Sequence, residues 1–417
     1  MAHEQSVKAL VIALTEDLGP AIYSINRLRP ESLCFVLPES AKPLVESSVQ
    51  PRIDQMPRRW DWVPLADAAH FPVCYQAIAR SLPPILKGWG IQPGELVVDL
   101  SGASPAMSAG LALVTRPLTS RVVSLVPTAD GAEGEAITLD GHPFVWAQIN
   151  PWDEAALVSR QEAIAYFDRG SFVAAAALFR LIESSVSGGQ KPLYRAFCDL
   201  AEGYDLWERF HYRQAWDKLK TSVKAMEMAA VWGGPAGLKE LLPKIKANAG
   251  FLEKLVLDPT EVKELLAIDL LAHARRRLDV DRDPEHAMVA LTRALEGFAQ
   301  QQLFKQYKLK TWDVRLEQLP QALQETRTCY LDDVDGKFKL PLQAQFRTLA
   351  ELGDPAGHAF LRMWPTMKPL VDAANHSVLG HGFEPIKAER VQQLYELVVK
   401  LWNVADTSLP KFPLLNL

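Results

Sequence analysis

Short, almost unbroken apolar runs alternate with amphipathic stretches through the first 130 or so residues. Val7–Leu14 is apolar at seven of its eight positions. Such a run is too short for a buried helix and suits a strand covered on both faces. Ser32–Leu37, Leu96–Leu100 and Arg121–Val126 repeat the pattern. Between them, Thr15–Pro20 is turn chemistry, with Pro20 placed to open a helix over Ala21–Leu28. Asp67–Lys87 reads as a helix interrupted at Pro72 and near Pro83-Pro84, and Ala106–Val114 as another. Strands and helices in this alternation predict an α/β, doubly wound, parallel-sheet domain of Rossmann type. Ligands of such sheets sit beyond the carboxyl ends of the strands, where Thr15–Gly19 and Ser101–Pro105 both fall. Thr128–His142 is rich in Gly and acid and reads as a hairpin or loop, and Pro143–Asp153 as a domain boundary.

From Glu154 to about Leu257 the apolar period is helical throughout. Phe167–Phe172, with Ala175 and Phe179, recurs forty residues later as Trp207–Tyr212, with Ala215 and Leu219. Two copies of such a helical hairpin are too few for a solenoid, so this is an all-α spacer with a tetratricopeptide-like turn. Ser187–Gln190 and Gly233–Gly237 mark breaks, and Trp207, Trp216 and Trp232 read as core. The chain then divides as 1–150, 151–257 and 258–417. In the last part Met288, Leu291, Leu295 and Phe298 form a core stripe, Val391–Val404 an amphipathic helix, and Pro410–Leu417 an apolar tail suited to docking. Over Asp372–Ile386, helical spacing places Ala374, Ser377 and His381 on one stripe, with Gly382 as a left-handed cap and Pro385 barring resumption.

Composition narrows the options. The chain has 417 residues, 48% of them hydrophobic, enough for several cores. Its net charge of -5 gives no global basic field, so any nucleic-acid contact must be local. Four scattered cysteines form no CxxC pair, so disulfides and metal sites are not expected and a reducing cytoplasm fits. No apolar run reaches the ~18 residues of a membrane span.

Three stretches carry candidate chemistry. Ser101–Pro105 is a small loop entering a helix. It can cradle phosphate with backbone N–H groups, or be a tight turn in which Ser104 caps the helix. Arg275–Arg277 is the most basic cluster, either a solvated helix face or a functional one. His381, near a helix end, can be a structural cation or an acid/base group.

All three of these stretches resemble one family. Asn375–Ile386 resembles the Arg-Asn-x-Ser-x-Leu-x-His-Gly signature of HEPN ribonucleases, in the form carried by CRISPR-associated CARF–HEPN proteins of type III systems. Asp99–Leu111 is similar to the Asp-x-Thr-Gly-Gly-Thr-Lys-x-Met-Ser-x-Gly-Leu loop of CARF domains. Asp269–Leu278 and Asp281–Phe298 resemble the paired-arginine and Arg-Ala-Leu-Glu helices that open the family's catalytic domain. The departures are specific: Ala374 stands where the family has arginine, Ala103 for a glycine, and Pro105 for a lysine.

The resemblance implies a CARF domain that binds a cyclic oligoadenylate through Thr15, Glu16, Ser101, Gly102, Ala103, Ser104, Pro105 and Met107. It implies an all-α HEPN domain whose composite site, formed by a homodimer across a two-fold axis, cleaves single-stranded RNA. Cleavage would proceed without metal or cofactor, by 2′-hydroxyl attack on the adjacent phosphate. His381 would be the acid/base or transition-state donor, with Asn375, His376 and Ser377 positioning it or the RNA. The alternative is a catalytically silent sensor, consistent with the missing arginine. A helical scaffold serving an unrelated nucleotide is a third possibility, for which only the repeated middle argues.

Overall fold

The computed structural model describes residues 7–15, 17–128, 134–319 and 321–416. The chain forms two compact units. The first comprises residues 1–163 and 176–198, the second 164–175 and 199–417.

The first unit is built on a seven-stranded sheet. Its strands are β1 (Ala9–Ala13), β2 (Ser32–Pro38), β3 (Arg59–Leu65), β4 (Leu96–Asp99), β5 (Thr119–Pro127), β6 (Glu135–Leu139) and β7 (His142–Ile149). They lie in the order β3-β2-β1-β4-β5-β7-β6. The first five pair parallel, and β7 joins β5 and β6 antiparallel. The sheet is doubly wound, as its apolar runs require: β1 is buried along its whole length. Helix α1 (Gly19–Leu28) supplies Ala21, Ile25 and Leu28 to the core on one face. Helices α2 (Phe71–Gly88) and α3 (Pro105–Thr115) supply Cys74, Ile78, Leu82, Met107 and Leu111 to the other.

One strand lies outside the four expected, and two expectations need correction. Arg59–Leu65 is a strand although its pattern is half polar, because it is the sheet edge: only one neighbour pairs it, and Pro64 is tolerated there. The expected boundary at Pro143–Asp153 is mostly β7, buried through Val145 and Trp146. Helix α2 runs unbroken through Pro83 and Pro84, and Pro72 lies in its first turn.

The helical middle comprises α4 (Pro151–Asp168), α5 (Phe172–Ser185), α6 (Lys191–Glu208), α7 (Tyr212–Val231) and α8 (Leu238–Leu257). The repeated sequence marks two equivalent turns. In each, one residue adopts positive φ, Gly170 at 76° and Phe210 at 62°. Gly170 donates to Phe167 and Ser171 to Tyr166, and Phe210 to Trp207 and His211 to Leu206, all at 2.9 Å. Trp207 is core as expected, whereas Trp216 is half-buried and Trp232 is 84% exposed.

The remainder of the second unit is all-α: α9 (Glu264–Asp279), α10 (Pro284–Tyr307), α11 (Leu342–Glu351), α12 (Pro355–Asn375) and α13 (Ala388–Trp402). Met288, Leu291 and Leu295 of α10 are buried in one core with Phe346, Phe360 and Leu394, and Phe298 packs against it half-buried. The tail returns to the helical middle. Phe412 packs, tilted or edge-on, among Tyr204, Trp207 and Phe172 at centroid distances of 4.5–5.9 Å.

Candidate functional site

The signature segment is a folded-back loop and not a helix. Helix α12 stops at Asn375, and the next residues turn back on it. His381 donates its N–H to the Asn375 carbonyl at 2.7 Å. Gly380 and Gly382 donate theirs to the Ser377 carbonyl at 3.0 and 3.1 Å, and Glu384 donates to His376 at 3.1 Å. The Ser377 hydroxyl accepts from Gly380 at 3.1 Å. The expected stripe of Ala374, Ser377 and His381 is therefore corrected, since only Ala374 is helical. The expected left-handed cap at Gly382 is corrected too, because Gly382 is absent from the positive-φ glycines. What demands glycine is close approach. A Cβ on Gly382 would lie 2.1 Å from the His376 carbonyl, and one on Gly380 2.3 Å from that of Ala374.

The loop still brings the signature side chains to one place. Asn375, His376 and His381 are exposed, Ser377 is fully buried, and Ala374 is half-buried against the core. Ser377 is thus a structural pin of the loop, while both imidazoles are free to meet a substrate. Beside them Val378, Leu379 and Phe383 are exposed, Phe383 at 95%. From outside the loop, the Glu285 carboxylate accepts the Ile386 N–H at 2.6 Å.

The sheet site is built at the strand-order reversal. Loops after β1 and β4 are neighbours there, and the Thr15 hydroxyl donates to the Gly102 carbonyl at 2.9 Å. Fully buried Asp99 accepts the Ser101 N–H at 2.7 Å, and burial pushes its carboxyl up. The Ser101 hydroxyl accepts from the N–H of Leu125 at 2.8 Å. Ser104 caps α3, accepting from Met107 at 3.2 Å, and donates to the Ala68 carbonyl. The Ser104 hydroxyl is committed within the fold as both donor and acceptor, whereas the Ser101 hydroxyl is engaged as an acceptor. Met107 is fully buried, so its side chain serves the core. Ala103 is half-buried and Pro105 exposed, and Glu16 lies outside the described residues. The N–H groups of Gly102, Ser104 and Ala106 have no acceptor among the described residues.

The arginine cluster is occupied otherwise. Arg276 pairs with Glu208 at 2.5 Å and stacks on Phe412 at 4.0 Å. Arg277 contacts Glu208 at 3.3 Å and Asp281 at 2.9 Å, and Arg275 pairs with Asp279 at 2.6 Å. His273 lies 2.8 Å from Glu208. Buried Asp269 accepts from Trp207 and Tyr212, each at 2.9 Å, and burial pushes its carboxyl up. Glu208, the three arginines, Asp279 and Asp281 border a cavity of about 650 Å³ that the tail Leu409–Leu414 also lines. Burial pushes the Glu208 carboxyl up, but Arg276 and His273 outweigh it and hold the acid at about 2. Sequence reasoning missed Glu208, although a signal was present. It occupies the acidic position of the repeated turn that Asp168 fills in the first copy, where Asp168 accepts the Leu415 N–H at 2.9 Å.

Among the described residues no three His, Cys, Asp or Glu side chains cluster so as to hold a metal ion, and no helix is long and apolar enough to cross a membrane. Comparison with known proteins adds identity. A search of curated proteins finds no match. Residues 259–405 match the family model for the Csm6 HEPN domain, and 156–252 match that for the Csm6 6H domain. Among solved structures, Enterococcus italicus Csm6 bound to cyclic hexa-2′-fluoro-hexa-dAMP is similar at 11% identity. It covers 96% of both chains at a TM-score of 0.55, which establishes likeness of fold. Can2 from Sulfobacillus thermosulfidooxidans, in complex with cyclic tetra-adenylate, matches over 54% of this chain and 68% of its own. Its identity is 9% and its TM-score 0.24, too low to carry weight. Two adjoining domain models of one family, a sheet domain before them and a full-length likeness of fold agree: the chain belongs to the CRISPR-associated CARF–HEPN proteins of type III systems.

Proposed function

We propose that this protein is a cyclic-oligoadenylate-regulated effector whose HEPN domain cleaves single-stranded RNA as a homodimer. The observation that carries the reading is the stapled loop 376–386, which presents His376 and His381 to solvent within the segment matched to the HEPN model. Cleavage without metal asks for two proton movements: one off the attacking 2′-hydroxyl, one onto the departing 5′-oxygen. Imidazole suits both near neutral pH. His381 is the acid/base group; Asn375 and His376 hold the RNA backbone. The exposed apolar residues Val378, Leu379 and Phe383 beside the histidines fit a surface that a second copy covers.

The messenger is held mainly by backbone. With the Ser104 hydroxyl spent, the N–H groups of Gly102, Ser104 and Ala106 at the start of α3, which have no acceptor among the described residues, are the main donors suited to phosphate.

A second reading, the silent sensor, has its own observation. Ala374 offers no cation, and Arg275 and Arg276 are engaged in ion pairs. Labelled RNA incubated with each of several cyclic oligoadenylates, in EDTA, separates the two. The ribonuclease reading expects stimulated cleavage that His381→Ala lowers by ~100-fold or more. Ala374→Arg should raise it, through a guanidinium facing the developing phosphorane charge. Binding of a messenger without cleavage by either the native chain or Ala374→Arg would establish the sensor.

A further inference from the structure

Glu285 lies a hundred residues before the signature, in the first turn of α10. One of its oxygens accepts the Ile386 N–H at 2.6 Å, a charge-assisted bond. Its other oxygen is buried and has no partner among the described residues. A buried carboxylate oxygen left unpaired is destabilising, so stability alone is a poor reason for an acid here. A buried oxygen is also poorly placed to touch RNA. The loop fastens internally at His381–Asn375, Gly380–Ser377, Gly382–Ser377 and Glu384–His376. Those bonds fix its shape but not its pose on the domain. The pose at its far end rests on the buried Ile386 side chain and on the Glu285 bond.

We propose that Glu285 is a positioning residue for the HEPN site: its bond to the Ile386 N–H sets the pose of the loop that carries His376 and His381. The inference rests on the ribonuclease reading for its functional consequence, though not for the contact itself. An imidazole that must reach a substrate oxygen within hydrogen-bond distance loses most of its value when displaced by an ångström.

The test compares Glu285→Ala and Glu285→Gln in the full chain at a temperature where both remain folded. Gln retains a carbonyl oxygen for the Ile386 N–H. Glu285→Ala should lower messenger-stimulated kcat/KM for RNA by about 10-fold or more, with kcat falling through His381 and KM rising through His376. Glu285→Gln should recover most of that loss. Independently of RNA, amide hydrogen exchange at Ile386 and His381 should quicken in Glu285→Ala, with the rest of α10 as protected as before. Unchanged exchange, or a Gln variant as impaired as Ala, overturns the proposal. If the native chain and Ala374→Arg both fail to cleave, the ribonuclease reading falls while the exchange result still decides whether Glu285 sets the loop.

Discussion

At the scale of single residues, the structure separates groups that do chemistry from those that only hold shape. Ser104 was legible as a helix cap or a phosphate ligand; its hydroxyl caps α3 and donates to Ala68, so the cap is what the fold uses. Ser377 belongs to the shape-holding class, and His376 and His381 to the exposed one. Glu208 was marked only by its place in the repeated turn; its role was not legible, because its partners Arg276, Arg277 and His273 arrive from more than sixty residues away. Its raised acidity has a consequence for stability. The folded chain holds this carboxyl near 2 against an ordinary 4.5, so the unfolded chain takes up its proton first as pH falls. The stabilisation is whole above about pH 4.5 and is lost progressively toward pH 2; by linkage it amounts to about 3 kcal/mol. Glu208→Gln should therefore lower the urea midpoint at pH 7 and flatten the dependence of stability on pH between 5 and 3. An unaltered pH slope in that window would show that the ion pairs contribute nothing.

At the scale of elements, period and punctuation located most of the architecture. Four core strands stand out because each is an apolar run too short for a helix, and β1 is fully buried. Edge strand β3 and most of β7 did not, since a half-covered strand needs no such run, although the hairpin expected within Thr128–His142 is the turn between β6 and β7. The loop after α12 misled helical spacing for a different reason: Gly380 and Gly382 permit backbone contacts that no periodicity encodes. The repeated turn was the best-read feature of the helical middle, and it offers a clean test. Gly170 and Phe210 occupy the same left-handed position, and Phe210 meets the strain with ring contacts to Tyr212 and His273 at 6.1 and 4.9 Å. Gly170→Ala has no such compensation and should cost about 1 kcal/mol, read as a lowered thermal midpoint. A neutral or stabilising substitution would mean the turn is free to change its backbone.

At the scale of the whole molecule, the decisive question is whether one chain suffices. The loop 376–386 exposes two histidines but no cation beside them in its own signature, and it is flanked by exposed Val378, Leu379 and Phe383. A two-fold axis through such a patch would bury the apolar side chains against their own copies and bring four imidazoles around one phosphate. Wild-type and His381→Ala chains carrying different tags, co-expressed and purified through both, give the mixed dimer. If the two copies form one site, its messenger-stimulated activity should fall well below half that of the native dimer. A mixed dimer with half the native activity would instead mean that each chain works alone. Light scattering that finds only monomer at micromolar concentration, with and without messenger, would remove the composite site altogether. Phe383→Asp gives an independent arm: a charge at a 95% exposed position should leave the fold intact while opposing association. Loss of dimer and of cleavage together, with messenger affinity per chain lowered as well, is the pattern a shared two-fold axis requires.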